Sequence, residues 1–272
     1  MKLLFLDIDN TLYSTAISDT PKSAVEAIRL ARKNGSKVFL CTGRSLAESL
    51  SYLNYDVDGF IFASGAMVYV SKELIYDHPY PKEDIATVRN LIETHDMGVL
   101  IGGAAGAYLD EKALVYIRHY LAKGETDEAV IRNKLEHNGM FLMKDMHELD
   151  PIYKLGAWMA DVKQLDDLNR DLPKPYKATI TIEDDGAYFA EITNHELSKS
   201  TGIAQVLNYL HADVKDTIGI GDSANDIDMM RCCGIGIAMG NSFPEVKQAA
   251  DYVTTDILED GIWNAFKYTG VI

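Results

Sequence analysis

The chain has 272 residues, of which 47% are hydrophobic and 25% charged, and its formal net charge is −15. That length can bury a sizeable core in one large domain or two modest ones, and the composition is that of a folded globular chain. The acidic balance argues against nucleic acid or an anionic membrane as the main partner, because both call for clustered Lys and Arg; a small anionic substrate stays open, since a bound cation reverses the local field.

The first stretch reads as alternating strand and helix. Leu3–Leu6 is a short apolar run suited to a buried parallel strand. Pro21 sits just inside a helix start, with Asp19 and Thr20 as candidate caps. Val25, Ile28, Leu30 and Ala31 give that helix its apolar face, and Asn34-Gly35 ends it. Lys37–Cys41 is the next strand, residues 45–53 read as helix, and 60–63 as a third strand. Ser64-Gly65 then turns the chain into a hairpin, Met67–Val70 with 74–76.

The rhythm changes after Pro79 and Pro81, which bracket a short polar joint. From residue 85 to about 188 the pattern predicts a helix, paired strands, two helices, a strand over 152–160, another helix, and strands over 176–182 and 187–192. Asp184-Asp185-Gly186 is a suitable turn between the last two. This block is expected to be an antiparallel sheet with helices on one face. The βα alternation returns after Lys199: helix 204–210, strand 217–220, helix 227–231, strand 234–238, helix Pro244–Ala249 and a short strand at 252–254. The expected fold class is therefore α/β: a doubly wound, parallel-sheet, Rossmann-like core over residues 1–80 and 194–272, interrupted by an inserted α+β cap domain over 81–193. The joints at 79–81 and 193–195 are its hinge candidates.

Three cysteines, Cys41, Cys232 and Cys233, two of them adjacent, suggest neither a disulfide framework nor a zinc site, and a reduced cytoplasm is the expected location. The apolar start stops at Asp7, too short for a leader peptide, and no apolar stretch approaches the roughly 20 residues that span a bilayer.

Four clusters carry chemistry. Asp7 and Asp9 follow directly on the first strand, and at spacing two both side chains leave one face of an extended chain. Like charges so close are unfavourable unless a cation sits between them or one keeps a proton. Cys41-Thr42-Gly43-Arg44 ends the second strand, where a hydroxyl and backbone N–H groups can hold a phosphoryl oxygen; a plain strand-to-helix turn capped by Thr42 or Ser45 is the bland alternative. Lys199 opens a helix, against the dipole, so it is either aimed at an anion or simply solvated. Gly221-Asp222-Ser223-Ala224-Asn225-Asp226 crowds acids and an amide at a strand end; such oxygen donors suit Mg²⁺, though a capped helix start has the same composition. All four fall after separate strand or loop ends, where open α/β sheets bind ligands.

In that order, Asp7-Ile8-Asp9-Asn10-Thr11, Thr42-Gly43-Arg44, Lys199 and Gly221-Asp222-Ser223-x-Asn225-Asp226 resemble the four motifs of the haloacid dehalogenase-like hydrolase superfamily. Within it, the whole chain is similar to the Cof-type phosphatases with a large, type IIB-like inserted cap. Ala238-Met239-Gly240-Asn241-Ser242 and Asp260-Gly261 resemble the family's C-terminal signature. Departures are Asn10 where Gly is usual, Ser64-Gly65-Ala66 where Asn-Gly-Ala is usual, and Lys199-Ser200 where Lys-Gly is usual; none removes a catalytic group.

The resemblance implies a Mg²⁺-dependent phosphatase. Asp7 would attack phosphorus to give an aspartyl-phosphate, and Asp9 would serve as acid and then base. Thr42, Gly43 and Lys199 would hold the phosphoryl oxygens. Mg²⁺ would bind the Asp7 carboxylate, the Asp9 backbone carbonyl and Asp222, with Asn225 and Asp226 as ligands or supports. The implied partner is a small phosphorylated metabolite: a sugar phosphate, a nucleotide or a cofactor phosphate. A sugar phosphomutase of the same superfamily and a non-catalytic phosphometabolite sensor are the competing readings. In the cap, His95, His119, Lys154 and Trp158 are conspicuous but are as readily packing or surface residues.

Overall fold

The computed structural model describes residues 1–14, 16–122, 125–147, 150–184 and 186–272. The chain divides into two compact units, Met1–Gly43 with Tyr52–Asp77 and Leu197–Ile272, and Arg44–Ser51 with His78–Glu196. The long boundaries lie within a few residues of 80/81 and 193/194, while Arg44–Ser51 goes with the insertion. The elements before the insertion are β1 (Leu3–Leu6), α1 (Lys22–Lys33), β2 (Lys37–Cys41), β3 (Gly59–Phe62), β4 (Met67–Val70) and β5 (Glu73–Asp77). The insertion carries α2 (Lys82–Thr94), β6 (Gly98–Gly103), β7 (Ala107–Leu109), α3 (Glu111–Ala122), α4 (Glu128–His137), β8 (Met140–Leu142), β9 (Ile152–Met159), α5 (Lys163–Asp171), β10 (Tyr176–Asp184) and β11 (Ala187–Asn194). The first unit is completed by α6 (Lys199–Leu210), β12 (Thr217–Gly221), α7 (Ile227–Cys232), β13 (Ile235–Ala238), α8 (Pro244–Ala249), β14 (Tyr252–Val253) and α9 (Gly261–Tyr268).

The first unit is a doubly wound sheet of order β14-β13-β12-β1-β2-β3-β4-β5, parallel from β14 to β3 and antiparallel at β4 and β5. β1 and β2 are apolar on both faces because both faces are covered. Leu3, Phe5, Phe39 and Cys41 pack with Ile203 and Val206 of α6 and Met229 of α7. Successive strands lie on opposite sides of β1, β12 on one and β2 on the other. β1 is thus the topological switch point, the place where such sheets open a crevice beyond their carboxyl ends.

The second unit is a sheet of order β10-β11-β9-β6-β7-β8. It is antiparallel except for the β7–β8 pair, and β8 is a strand that the sequence pattern did not announce. Helices cover both faces rather than the expected one. Val99, Ile101, Leu155 and Ala157 meet Val88 and Ile92 of α2 and Leu168 of α5. The alternate residues Leu100, Trp158 and Phe189 meet Ala113 and Ile117 of α3 and Ile131 of α4. Period-two alternation of apolar residues on both faces is the physical reason. The expected turn Asp184-Asp185-Gly186 falls partly outside the described residues; β10 and β11 pair on either side of it.

Two local expectations change. Residues 45–53 do not form an α-helix; Ala47–Asn54 is a 3₁₀ segment. Its serines compete for the backbone: Ser49 Oγ donates to the Ser45 carbonyl at 2.8 Å, and the Ser45 N–H donates to Glu48 Oε2 at 2.8 Å. In α1 the buried stripe is Ala24, Ala27, Ile28 and Ala31, while Val25 is 47% exposed. The cap of α1 is Pro21 itself; Asp19 Oδ1 accepts the Thr20 N–H at 2.8 Å, and Thr20 Oγ1 bonds the Tyr55 hydroxyl.

Candidate active site

Every cluster singled out in the sequence arrives at the carboxyl end of a strand in the first unit, save Lys199, which arrives at a helix start. Asp7 continues β1: its N–H donates to the Ile220 carbonyl at 2.9 Å, prolonging the β1–β12 ladder by one residue. Beyond it the chain turns sharply, with the Leu12 and Tyr13 N–H groups donating to the Ile8 carbonyl and Asn10 in the left-handed region at φ 57°. Asn is one of the few residues that tolerates this conformation, which accounts for its standing where Gly is usual. Asp9 lies in this turn, half-buried and bridged to Tyr13.

Lys199 is N1 of α6, after a Ser198 cap whose N–H donates to Thr201 Oγ1 at 3.0 Å. Its side chain is buried, and Nζ donates to Asp7 Oδ1 and to Asp226 Oδ1, each at 2.5 Å. The solvated alternative for this lysine is therefore overturned. α6 approaches closely because Gly202 and Gly65 carry no side chain: a Cβ on Gly65 would lie 2.1 Å from the Ser198 carbonyl oxygen, and one on Gly202 2.5 Å from Ile61 Cγ2.

Asp222 follows β12. Its Oδ1 accepts a bond from Thr11 Oγ1 at 3.1 Å. Asp226 is completely buried, and its Oδ2 accepts from the Asp222 N–H (3.1 Å), the Ser223 N–H (3.0 Å) and Ser223 Oγ (3.1 Å). Gly221 makes this possible, since a Cβ there would sit 2.3 Å from Asp226 Cγ. The hydrogen bonds named so far engage both oxygens of Asp226 but one each of Asp7 and Asp222.

One oxygen from each of Asp7, Asp222 and Asp226 lies within 4.8 Å of the others. Burial pushes the Asp7 carboxyl well above the usual carboxylate range, Asp226 adds to this, and the Lys199 ammonium opposes it. Burial and Asp226 likewise push Asp222 up to about 6, against the bond from Thr11. Burial alone would lower the Lys199 ammonium; the Asp226 and Asp7 carboxylates outweigh it and hold the lysine charged. Three buried acids against one buried cation leave an excess of negative charge, and hard oxygen donors in this arrangement can hold a divalent cation.

Thr42 ends β2, buried, with its N–H donating to the Ile61 carbonyl (2.8 Å) and its carbonyl accepting from the Ser64 N–H (3.0 Å). Gly43 faces Ser64 and Asn225: an added Cβ would lie 3.3 Å from Ser64 Oγ and 3.7 Å from Asn225 Nδ2. Ser64 has φ 52° and ψ 37°, a conformation in which Asn or Gly is at home and Ser is not. The structure thus gathers Asp7, Lys199, Asp222 and Asp226 into one bonded cluster and sets Gly43 beside Ser64 and Asn225. Two residues that stood inside the motifs without a role now have contacts: Thr11 is bonded to Asp222, and Ser223 to Asp226.

The conspicuous residues of the insertion divide. Trp158 is core, 1% exposed and packed on Tyr116 and Phe189. His95 bonds Asp171 at 2.9 Å, and His119 is on the exposed side of α3. Lys154 is mostly buried, with Nζ 3.6 Å from Glu48 and 4.0 Å from Glu191.

A family model described as haloacid dehalogenase-like hydrolase matches residues 4–266. The YkrA protein of Bacillus subtilis (strain 168) is 27% identical, over 100% of this chain and 98% of its own. A solved HAD subclass IIB sugar phosphatase superposes with a TM-score of 0.77 at 26% identity, over 100% of both chains. A solved phosphatase of the same superfamily from Bacteroides thetaiotaomicron gives a TM-score of 0.80 at 25% identity, over 100% of this chain and 96% of that one. With the fold, the switch-point acids and the match along nearly the whole sequence in agreement, the chain belongs to the haloacid dehalogenase-like hydrolases.

Proposed function

We propose that the protein is a Mg²⁺-dependent phosphatase acting on small phosphate monoesters through an aspartyl-phosphate on Asp7. The observation that carries this reading is the buried Lys199 ammonium bonded at once to Asp7 and Asp226, with Asp222 beside them. It fixes one oxygen of Asp7 and leaves the other to face an electrophile. The phosphatases with which the chain aligns favour the same chemistry.

Asp7 attacks phosphorus as a nucleophile, splitting one hard displacement into two easier ones. Asp9 lies in the adjacent turn with more solvent contact than Asp7. It protonates the leaving alkoxide and then takes the proton of the water that hydrolyses the acyl phosphate. Lys199 and the Thr42-Gly43 turn hold the phosphoryl oxygens as charge spreads over them. Asp7, Asp222 and the Asp9 carbonyl would hold Mg²⁺, which would offset the charge of both the phosphate and the nucleophile. Asp226, with both oxygens engaged, fixes Lys199 and the Asp222 loop rather than binding the ion, and Asn225 supports the phosphate side near Gly43. The Arg44–Ser51 and His78–Glu196 unit is the cap, which selects the alcohol part of the substrate.

The test is a panel of phosphate esters assayed with Mg²⁺ and with EDTA, alongside Asp7→Asn. Release of inorganic phosphate that needs Mg²⁺ and Asp7 is expected. Isomer formation without phosphate release, or turnover in Asp7→Asn, refutes the proposal.

A further inference from the structure

The segment after β13 joins two acid-bearing loops that are far apart in sequence. Asn241 Nδ2 donates to the backbone carbonyl of Asn10 at 2.8 Å, and its Oδ1 accepts the Ile257 N–H at 3.0 Å. Around it, the Met239 N–H donates to the Gly221 carbonyl at 3.0 Å, and the Gly240 N–H to the Thr255 carbonyl at 2.9 Å. Gly240 is pinned against the chain: a Cβ there would lie 2.4 Å from the Asp256 nitrogen. One side of this segment therefore holds the residue before Asp222. The other side holds, through one side-chain amide, the residue after Asp9. Asn10 is left-handed at φ 57°, and the turn is closed from within by the Asn10 N–H on the Tyr13 carbonyl at 2.8 Å and by the Leu12 and Tyr13 N–H groups on the Ile8 carbonyl. The bond from Asn241 adds a hold from outside, tying the carbonyl next to Asp9 to a segment that also carries the Asp222 loop.

We infer that Asn241 is a positioning residue for Asp9, acting through the Asn10 carbonyl, so that its amide sets how well the acid reaches the leaving oxygen. The inference rests on the proposed role of Asp9. Asn241 touches no reacting atom; it fixes the backbone that carries the acid. Displacing a catalytic group by about 1 Å can cost on the order of 10²-fold.

The discriminating variant is Asn241→Asp. Its remaining oxygen still accepts the Ile257 N–H, but the second oxygen faces the Asn10 carbonyl and cannot donate to it. Asn241→Ala removes both links. Each variant, with Asp9→Asn in parallel, is assayed for kcat/KM with an alkyl phosphate and with p-nitrophenyl phosphate, after a thermal melt shows that it is folded. General acid catalysis is worth roughly 10²–10⁴-fold where an alkoxide must leave, and far less for nitrophenolate. Asn241→Asp is expected to lower kcat/KM at least about tenfold for the alkyl ester and less than about threefold for the aryl ester, following the pattern of Asp9→Asn. Equal losses on both esters, with Asp9→Asn still discriminating, overturn the inference and leave the Asp9 role standing. Should Asp9→Asn itself fail to discriminate, the role of Asp9 falls, and the inference with it.

Discussion

The buried Lys199 gives the sharpest test, through Lys199→Met, which keeps the stem and deletes the charge. At 2.5 Å and an effective dielectric near 20, each contact with Asp7 and Asp226 is worth about 7 kcal/mol before desolvation. Desolvation returns much of this, and removing one partner of a buried pair costs on the order of 3–5 kcal/mol. In urea, with a slope near 2 kcal/mol/M, that lowers the midpoint by about 1.5–2.5 M. The two tryptophans separate the units: Trp263 lies in α9 of the first and Trp158 in β9 of the second. In a Trp158→Phe background, present in both proteins so that its own cost cancels, Trp263 fluorescence follows the first unit alone. The measurement is made at pH 7.5 in EDTA. The loss is expected to shrink toward pH 5, because Asp7 already holds its proton unusually well and does so more strongly once the lysine is gone. A midpoint within about 0.5 M of the parent at pH 7.5 refutes the reasoning that this lysine neutralises the acid cluster.

The metal-free protein should lose stability as pH rises. Asp222 is held up at about 6, above its unfolded value, so the folded state binds the proton more tightly; the stability is present below about pH 4 and is lost as pH passes 6, by about 3 kcal/mol for this group. Mg²⁺ should therefore raise the melting temperature by several degrees at pH 7.5 and hardly at all at pH 5, read by differential scanning fluorimetry. Thr11→Val removes the hydroxyl on Asp222 Oδ1 and should weaken Mg²⁺ binding by about 10–100-fold, measured by calorimetry, with the fold intact by circular dichroism. Lys154→Met deletes the ammonium that lies between Glu48 and Glu191 and should cost the second unit about 1–3 kcal/mol, followed by Trp158 fluorescence.

The sequence revealed the site through residue types whose chemistry is costly unless used. Two acids after Leu3–Leu6, and a second acid group after another apolar run, could lie in a parallel sheet only at carboxyl ends, and the topology put both beside the switch point. Lys199 was ambiguous because a helix start alone does not reveal burial; that depended on Gly65 and Gly202 letting α6 close on the sheet. The resemblance set Asp222 on the metal and left Asp226 as ligand or support; residue type alone does not tell two acids of one loop apart, and the hydrogen bonds that engage both oxygens of Asp226 are visible only in the fold. In the insertion, the helical faces were visible but not the face of the sheet each would cover, because the strands are apolar on both sides. Trp158 and His95 stood out by type; ring packing accounts for the first and the bond to Asp171 for the second.

The pairing of β1 with β12 joins Leu3 to Thr217 and Leu6 to Ile220. During synthesis, the strand that ends at Asp7 leaves the ribosome more than two hundred residues before its neighbour does. At 5–20 residues per second the delay is roughly 10–40 s, during which an apolar tetrapeptide has no partner on that edge. All strands of the β6–β11 sheet are synthesised before β12, so the insertion has its full set of strands while the first unit still lacks three of its own. A truncation that removes β12 should leave an expressed fragment with an orderly insertion and an N-terminal strand prone to association with other chains.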